Sequence, residues 1–234
     1  MNWRLTTLKD RYTAPIDFLI LNMIIELIAL LLPPIVIAHG FKPVAIIDFV
    51  IVVLFAVIYV FSNEVVAFWS MPTIIFKIAL ILPIVLLLTQ QAFVVAILLF
   101  MQYIIYLMTN QTPKLNTKLT MVLDQGVIPL FLSIALLDTM VQSMSMDQVI
   151  LIFGLYFIKI TNSFSFKNFL DFIWPFLGFI VVFSLLSAKM LSIPAVILIG
   201  LTLIIALLFY PVRRTWTKFP AILMVLLTIF SQVP

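Results

Sequence analysis

Apolar residues fall into nine long runs along the chain, separated by short polar segments. A helix that crosses a membrane needs about 20 apolar residues, with a range of about 17 to 25. The pattern therefore predicts an all-α, polytopic transmembrane helical bundle of about nine spans. The sixth and ninth runs are short, which leaves seven or eight full crossings open. The predicted spans are 16–38, 43–61, 73–88, 92–108, 121–141, 148–160, 170–187, 191–210 and 219–231.

Lysine and arginine are distributed unequally between the two sides of this scheme. Ten of the thirteen lie on the side of the N-terminus, Lys42 and Lys189 lie on the other side, and Lys77 lies within the third span. Because cytoplasmic segments carry an excess of Lys and Arg, the N-terminus is predicted to be cytoplasmic and the C-terminus outside. The same bias accounts for the net charge of +4, because basic residues on the cytoplasmic side are attracted to anionic lipid. No nucleic-acid partner is therefore expected.

Composition supports a single transmembrane domain over residues 1–234. Hydrophobic residues make up 65% of the chain and charged residues 9%, which is too little polar surface for a domain dissolved in water. We expect an integral, multi-pass protein, of the kind found in a bacterial cytoplasmic membrane. With no cysteine and only one histidine, His39, the sequence assigns no metal site. His39 lies in an outer turn, where we expect it to be solvated.

Polar side chains inside the predicted spans are costly and need a reason. Glu26 lies ten residues into the first span, and Asn22 lies four residues earlier on the same helix face. Gln102 is a further intramembrane polar residue, in the fourth span. Glu26 is a candidate proton or cation site. The alternative is a structural role, in which a protonated glutamate hydrogen-bonds Asn22, Gln102 or Lys77 and holds helices together.

Other residues carry expectations about local structure. Asp17, Asp124 and Asp171 are predicted to lie in the first turns of their helices, where a carboxylate suits the helix dipole. Lys77 and Lys159 are predicted to extend along their helices to the inner interface. Each proline within or at the end of a span lacks an N–H and is predicted to free a backbone carbonyl that a neighbouring helix has to satisfy; these prolines are Pro33, Pro34, Pro83, Pro129, Pro175 and Pro194.

Two segments on the cytoplasmic side carry a family resemblance. Residues 11–15 read Arg-Tyr-Thr-Ala-Pro just before the first span, and residues 106–118 contain a tyrosine followed by Pro-Lys-Leu at 113–115. With nine spans and a cytoplasmic N-terminus, these segments resemble the UbiA-type membrane prenyltransferases. The resemblance covers most of the chain and is carried mainly by topology. It implies transfer of a prenyl group to an acceptor within the membrane.

The resemblance also implies site residues. In that family two Asp-rich motifs, after the second and sixth spans, hold magnesium ions that grip a polyprenyl diphosphate. At the matching positions this chain has Asn63, Glu64 and Asp171, which become the catalytic candidates. Ala67 and Met71 replace further aspartates of the first motif, so the resemblance is to a degenerate member. Magnesium is expected only if that site is functional.

Basic residues near the same side could hold an anionic headgroup without a metal. These candidates for substrate binding are Arg11, Lys114, Lys118 and Lys167.

Three functions therefore stand side by side, and whether the protein is an enzyme stays open. The first is binding of an isoprenoid diphosphate or another anionic membrane lipid at the cytoplasmic face. The second is transport, by a transporter or by the permease subunit of one. The third is a non-enzymatic accessory or immunity-type role, in which the helices bind a protein partner in the membrane.

Overall fold

The computed structural model describes residues 16–40, 43–69, 73–111, 117–141, 143–163, 173–208 and 218–231. Within these ranges the chain forms nine helices and no strand, so the all-α prediction is confirmed. The helices are α1 (Ile16–Ile37), α2 (Ile46–Trp69), α3 (Thr73–Thr89), α4 (Phe93–Gln111), α5 (Thr117–Val122, the π-turn Leu123–Val127 and Ile128–Met140), α6 (Met146–Ser163), α7 (Ile173–Ser187), α8 (Ile193–Leu208) and α9 (Phe219–Ile229).

Each predicted apolar run corresponds to one of these helices, although several bounds differ. Three described stretches are long and apolar enough to cross a membrane: Leu19–Ile37, Ile46–Asn63 and Leu123–Met140. Helix α6 has 18 residues, so the sixth element is longer than its apolar run predicted. Helix α9 has only 11 residues and is about 16 Å long.

Short connections follow α1, α3, α5 and α7, and the end of the helices at which they lie is called here the turn end. Their described residues are 38–40 and 43–45, 90–92, 141 and 143–145, and 188–192. Hydrogen bonds at this end show that the helices they join run in opposite directions. The N–H groups of Val44 and Ala45 donate to the carbonyl of Thr139, which joins the start of α2 to the end of α5. The side-chain amide Nε2 of Gln148 donates to the carbonyl of Ile37, which joins the start of α6 to the end of α1.

Helix starts and stops at the turn end follow local chemistry. Ser145 and Gln148 form a reciprocal capping box, in which each side chain accepts a hydrogen bond from the backbone N–H of the other residue. Three helices end with the same C-terminal turn, in which a residue with positive φ follows the helix. These residues are His39 (φ 58°), Gln91 (φ 61°) and Lys189 (φ 60°). His39 is exposed, as predicted for a turn residue.

Two buried apolar clusters share the central helices α1 and α5. One cluster joins α1 and α5 to α6, α7, α8 and α9, and the other joins them to α2, α3 and α4. Helices α5 and α6 approach closely at Gly126, because a Cβ there would overlap the side chain of Ile160. By contrast, large apolar side chains on the outside of the helices are exposed, among them Ile78, Val94 and Ile193.

The turn between α3 and α4 allows a test of the positive-φ assignment. A non-glycine residue in the left-handed region is strained, and glycine is not, so Gln91→Gly should raise the free energy of unfolding by about 1 kcal/mol. Unfolding by SDS in mixed micelles measures this change. The neighbouring Gln90→Gly is the control, and an equal gain in both variants would contradict the assignment.

Candidate functional site

Glu26 of α1 is bound by two lysines from distant parts of the chain. The ammonium of Lys159 donates to Glu26 Oε2 at 3.1 Å, and that of Lys218 donates to Glu26 Oε1 at 3.0 Å. Each lysine therefore occupies a different oxygen of the same carboxylate. These three residues are called the Glu26 site.

The positions of the three residues along their helices bring them to one level. Glu26 lies eleven residues before the end of α1, which places it about 16 Å from the turn end. Lys159 lies near the far end of α6, and Lys218 immediately precedes α9. The short helix α9 therefore extends from the Glu26 site to the turn end, and the site ties α1, α6 and α9 together.

Burial makes these charges energetically important. The side chains are 4% exposed for Lys159, 18% for Lys218 and 22% for Glu26. A buried charge is costly unless it is paired, so the carboxylate stabilises both ammonium groups at once. Two ammonium groups and one carboxylate give these three side chains together one net positive charge, and the side chains of Lys218 and Glu26 stay partly exposed.

A hydrogen-bonded pair of side chains, Tyr156 of α6 and Ser133 of α5, lies beside Lys159. The Tyr156 hydroxyl lies 2.6 Å from the Ser133 hydroxyl, and Ser133 donates to the carbonyl of Leu30 at 3.1 Å. Since Ser133 has a single hydrogen, Tyr156 is the donor to Ser133. Lys159 Nζ lies 5.9 Å from the centre of the Tyr156 ring, within the range of a cation–π interaction.

A second polar group surrounds the π-turn of α5. The N–H of Ile128 donates to the carbonyl of Leu123, so the next bond of this register would run from residue 129 to Asp124. Pro129 has no N–H, and the Tyr59 hydroxyl donates to the carbonyl of Asp124 at 2.8 Å instead. The predicted freed carbonyl and its satisfaction by a neighbouring helix are both observed.

The side chains around this π-turn come from α2, α4 and α5. The Asp124 carboxyl interacts with the Thr109 hydroxyl, and the Tyr59 ring meets the Tyr106 ring edge-on at 6.1 Å. Asp124 was predicted to lie in the first turn of its helix. That prediction is wrong, because α5 begins at Thr117 and Asp124 lies inside it.

The structure corrects the predicted partners of Glu26. Glu26 pairs with Lys159 and Lys218, and not with Asn22, Gln102 or Lys77. Lys159 does not extend to the interface, because it is buried against Glu26. Asn22 is buried, and Gln102 is fully buried with no hydrogen-bond partner for either side-chain amide atom in the described part of the chain.

The candidates taken from the family resemblance are only partly described. Asn63 and Glu64 were placed in a loop, but both lie within α2, where Asn63 interacts with Tyr59 one turn earlier. Only the backbone of Glu64 and Lys118 is described, and Lys118 lies in the first turns of α5. Arg11, Lys114, Lys167 and Asp171 lie outside the described residues. The described residues contain no group of three or more His, Asp or Glu side chains that could hold a metal ion.

Comparison of the chain with protein-family profiles, with curated proteins and with solved structures finds no match in any of the three. The function therefore has to be argued from the site.

The role of Lys218 and the partner of Lys159 were not predicted from the sequence. One signal was present, because Lys159 is a cation within the apolar stretch of α6 and lies three residues after Tyr156 on the same face. Lys218 had no such signal, since a lysine before a helix also fits the positive-inside rule.

Removing the Glu26 carboxylate should be more damaging than removing either lysine. Glu26→Gln leaves two buried ammonium groups without their counter-charge, so we expect a loss of about 3 kcal/mol in the free energy of unfolding. Lys218→Gln keeps the Glu26–Lys159 pair and should lose less. SDS-induced unfolding in mixed micelles measures both.

The matched control is Asp147→Asn, which removes an exposed acid at the start of α6 and should change stability by less than about 0.5 kcal/mol. Equal stability of Glu26→Gln and Asp147→Asn would contradict a structural role for the ion pairs.

Proposed function

We propose that the protein is an integral membrane protein whose nine helices form a polytopic bundle, with the N-terminus in the cytoplasm and the C-terminus outside. Alternating helix directions, exposed apolar side chains and the one-sided distribution of Lys and Arg support this topology. The turn end is then the outer end. Helix α9 crosses only the outer part of the bilayer, since it begins at the level of Glu26.

We further propose that the protein binds the anionic headgroup of a membrane lipid at the Glu26 site, reached from the cytoplasmic side. The observation that carries this proposal is the convergence of two ammonium groups on one carboxylate in a largely buried position. The two ammonium groups favour an anion, and a lipid can present one while its tail stays in the bilayer.

The lipid class follows from the resemblance to UbiA-type prenyltransferases. An isoprenoid diphosphate is the ligand that the resemblance suggests, and the Glu26 site supplies cations for it without a metal. Catalysis would additionally require magnesium at Asn63, Glu64 and Asp171. The proposed protein is therefore a degenerate member of this family that binds the lipid through lysines. Prenyl transfer is added only if the magnesium site is functional.

Ligand-dependent stability tests this proposal. A ligand that binds only the folded protein stabilises it by mass action and so raises its melting temperature. At a free ligand concentration one hundred times the Kd, the free energy of unfolding rises by about 2.7 kcal/mol. Geranylgeranyl diphosphate should raise the melting temperature of the detergent-purified protein without magnesium. The increase should be lost in Lys218→Gln and kept in Lys189→Gln, which makes the same charge change at the exposed turn end.

The outcomes separate the remaining hypotheses. An increase that requires magnesium and disappears in Glu64→Ala or Asp171→Ala would support a working prenyltransferase-type site. If no isoprenyl diphosphate raises the melting temperature of protein shown to be folded, the result would contradict the lipid proposal and favour an accessory role.

Transport is the second candidate, and the depth of Glu26 favours it. Ionisable residues inside a helical bundle often mark ion pathways, and Glu26 joins three helices well inside α1. In proteoliposomes with an internal pH-sensitive dye, a transporter would show a proton or ion flux that Glu26→Gln abolishes. Flux equal to that of empty liposomes would argue against this candidate.

A further inference from the structure

Prolines inside the helices of this bundle deprive backbone carbonyls of their helical donors, and hydroxyl groups from neighbouring helices replace those donors. Pro34 of α1 has no N–H for the carbonyl of Leu30, and the Ser133 hydroxyl of α5 donates to that carbonyl at 3.1 Å. At the π-turn of α5, the Tyr59 hydroxyl of α2 donates to a carbonyl in the same way. Two carbonyls that lost a donor to proline are therefore satisfied from another helix.

Pro83 creates the same need in α3. It lies on the buried side of that helix and has no N–H for the carbonyl of Ala79, one turn earlier. Helix α3 is α-helical on both sides of the proline, without the π-turn seen in α5. Inside a membrane bundle, such a carbonyl is satisfied by a neighbouring helix or by an ordered water molecule.

Gln102 lies at the level of this carbonyl on the adjoining helix. Ala79 lies ten residues before the end of α3 and Gln102 lies nine residues after the start of α4, which places both roughly 14 Å from the connection 90–92. Because only this short connection joins the two helices and they pack against each other, they run in opposite directions. Ala79 and Gln102 therefore lie at the same level of two adjacent helices.

The Gln102 side chain has unused hydrogen-bonding groups. It is fully buried, and neither Nε2 nor Oε1 has a hydrogen-bond partner among the described residues. A buried amide without partners is rare in native proteins, because its donor and its acceptor have both lost their contact with water. No direct hydrogen bond joins Gln102 to Ala79, so a bridging group has to serve both.

We propose that Gln102 and the carbonyl of Ala79 bind one internal water molecule between α3 and α4. The water donates to the Ala79 carbonyl and accepts from Gln102 Nε2, and its second hydrogen serves Gln102 Oε1. A buried water typically makes about three hydrogen bonds, which these groups supply.

The chemistry of the two residues selects water over an ion. The carbonyl needs a donor, which a simple anion lacks, and Nε2 needs an acceptor, which a metal cation lacks. A lipid hydroxyl would satisfy both, but it would bring its chain to a position where the Gln102 side chain is fully enclosed. The site joins helices that carry none of the Glu26-site residues, so it is independent of the proposed lipid binding.

A double-mutant cycle between Gln102 and Pro83 tests the bridge. Gln102→Leu removes the amide at similar volume and leaves the water with too few partners, so the equilibrium constant of unfolding should rise roughly tenfold. Pro83→Ala restores an N–H for the Ala79 carbonyl. In that background Gln102→Leu should leave the constant unchanged or lower it, because the carbonyl no longer needs the water. SDS-induced unfolding in mixed micelles measures all four proteins.

Gln148→Leu is the matched control, because Gln148 is also a buried glutamine but its Nε2 already donates to the carbonyl of Ile37. Its effect should be the same with and without Pro83→Ala. If Gln102→Leu stabilises the protein while Pro83 is present, the amide is dry and the inference is wrong. An equal cost of Gln102→Leu in both backgrounds, or an equal coupling for Gln148→Leu, would contradict it as well.

A crystal structure of the unaltered chain, grown in a lipidic mesophase at a resolution that shows ordered water, does not depend on the folding of any variant. We expect one isolated density peak within about 3 Å of both the Ala79 carbonyl oxygen and a side-chain amide atom of Gln102. A direct hydrogen bond between the two residues, an elongated density that belongs to a lipid, or no density between them would overturn the inference.

Discussion

One carboxylate shared by two ammonium groups is the interaction on which the arrangement of α1, α6 and α9 depends. In a medium of low dielectric constant none of the three charges is stable alone, so each helix has to place its charge at the same level. Lys218 directly precedes α9, and the pairing therefore determines the depth at which this short helix begins. A shift of α1 by one residue would move Glu26 by about 1.5 Å and rotate it away from both partners.

At the π-turn of α5, too, a buried polar group is satisfied by a side chain from a neighbouring helix. Pro129 removes one backbone donor, and the hydroxyl of Tyr59 from α2 replaces it at the carbonyl of Asp124. The turn also brings Gly126 against Ile160 of α6, close to Lys159 in sequence. Helices α1 and α5 thus take part in both apolar clusters, and each also carries polar groups whose partners come from neighbouring helices.

The sequence predicts the helices well and the site poorly, for physical reasons. The length of each apolar run locates a helix because the exposed and the buried faces of these helices are both apolar. Pro129 predicts an unpaired carbonyl because it lacks an N–H. The partners of Glu26 lie 133 and 192 residues away, and helices that are apolar on all faces give no periodic signal of which face meets which neighbour. Asn63 and Glu64 were assigned to a loop because they are polar, yet no Pro or Gly interrupts α2 before Trp69.

The presence of the ion pairs is itself an argument about function. Replacing a buried ion pair by apolar side chains of similar volume is often neutral or stabilising by about 1 to 4 kcal/mol, so holding three helices together does not require charges. Apolar residues are abundant in this chain, at 65% of its length, and would serve that purpose at Glu26, Lys159 and Lys218. Two lysines and one glutamate add what leucines cannot, namely three charges brought together at one largely buried position, where the side chains of Lys218 and Glu26 stay partly exposed. The use of charges where apolar side chains would hold the helices equally well is the physical argument behind the proposed anion site.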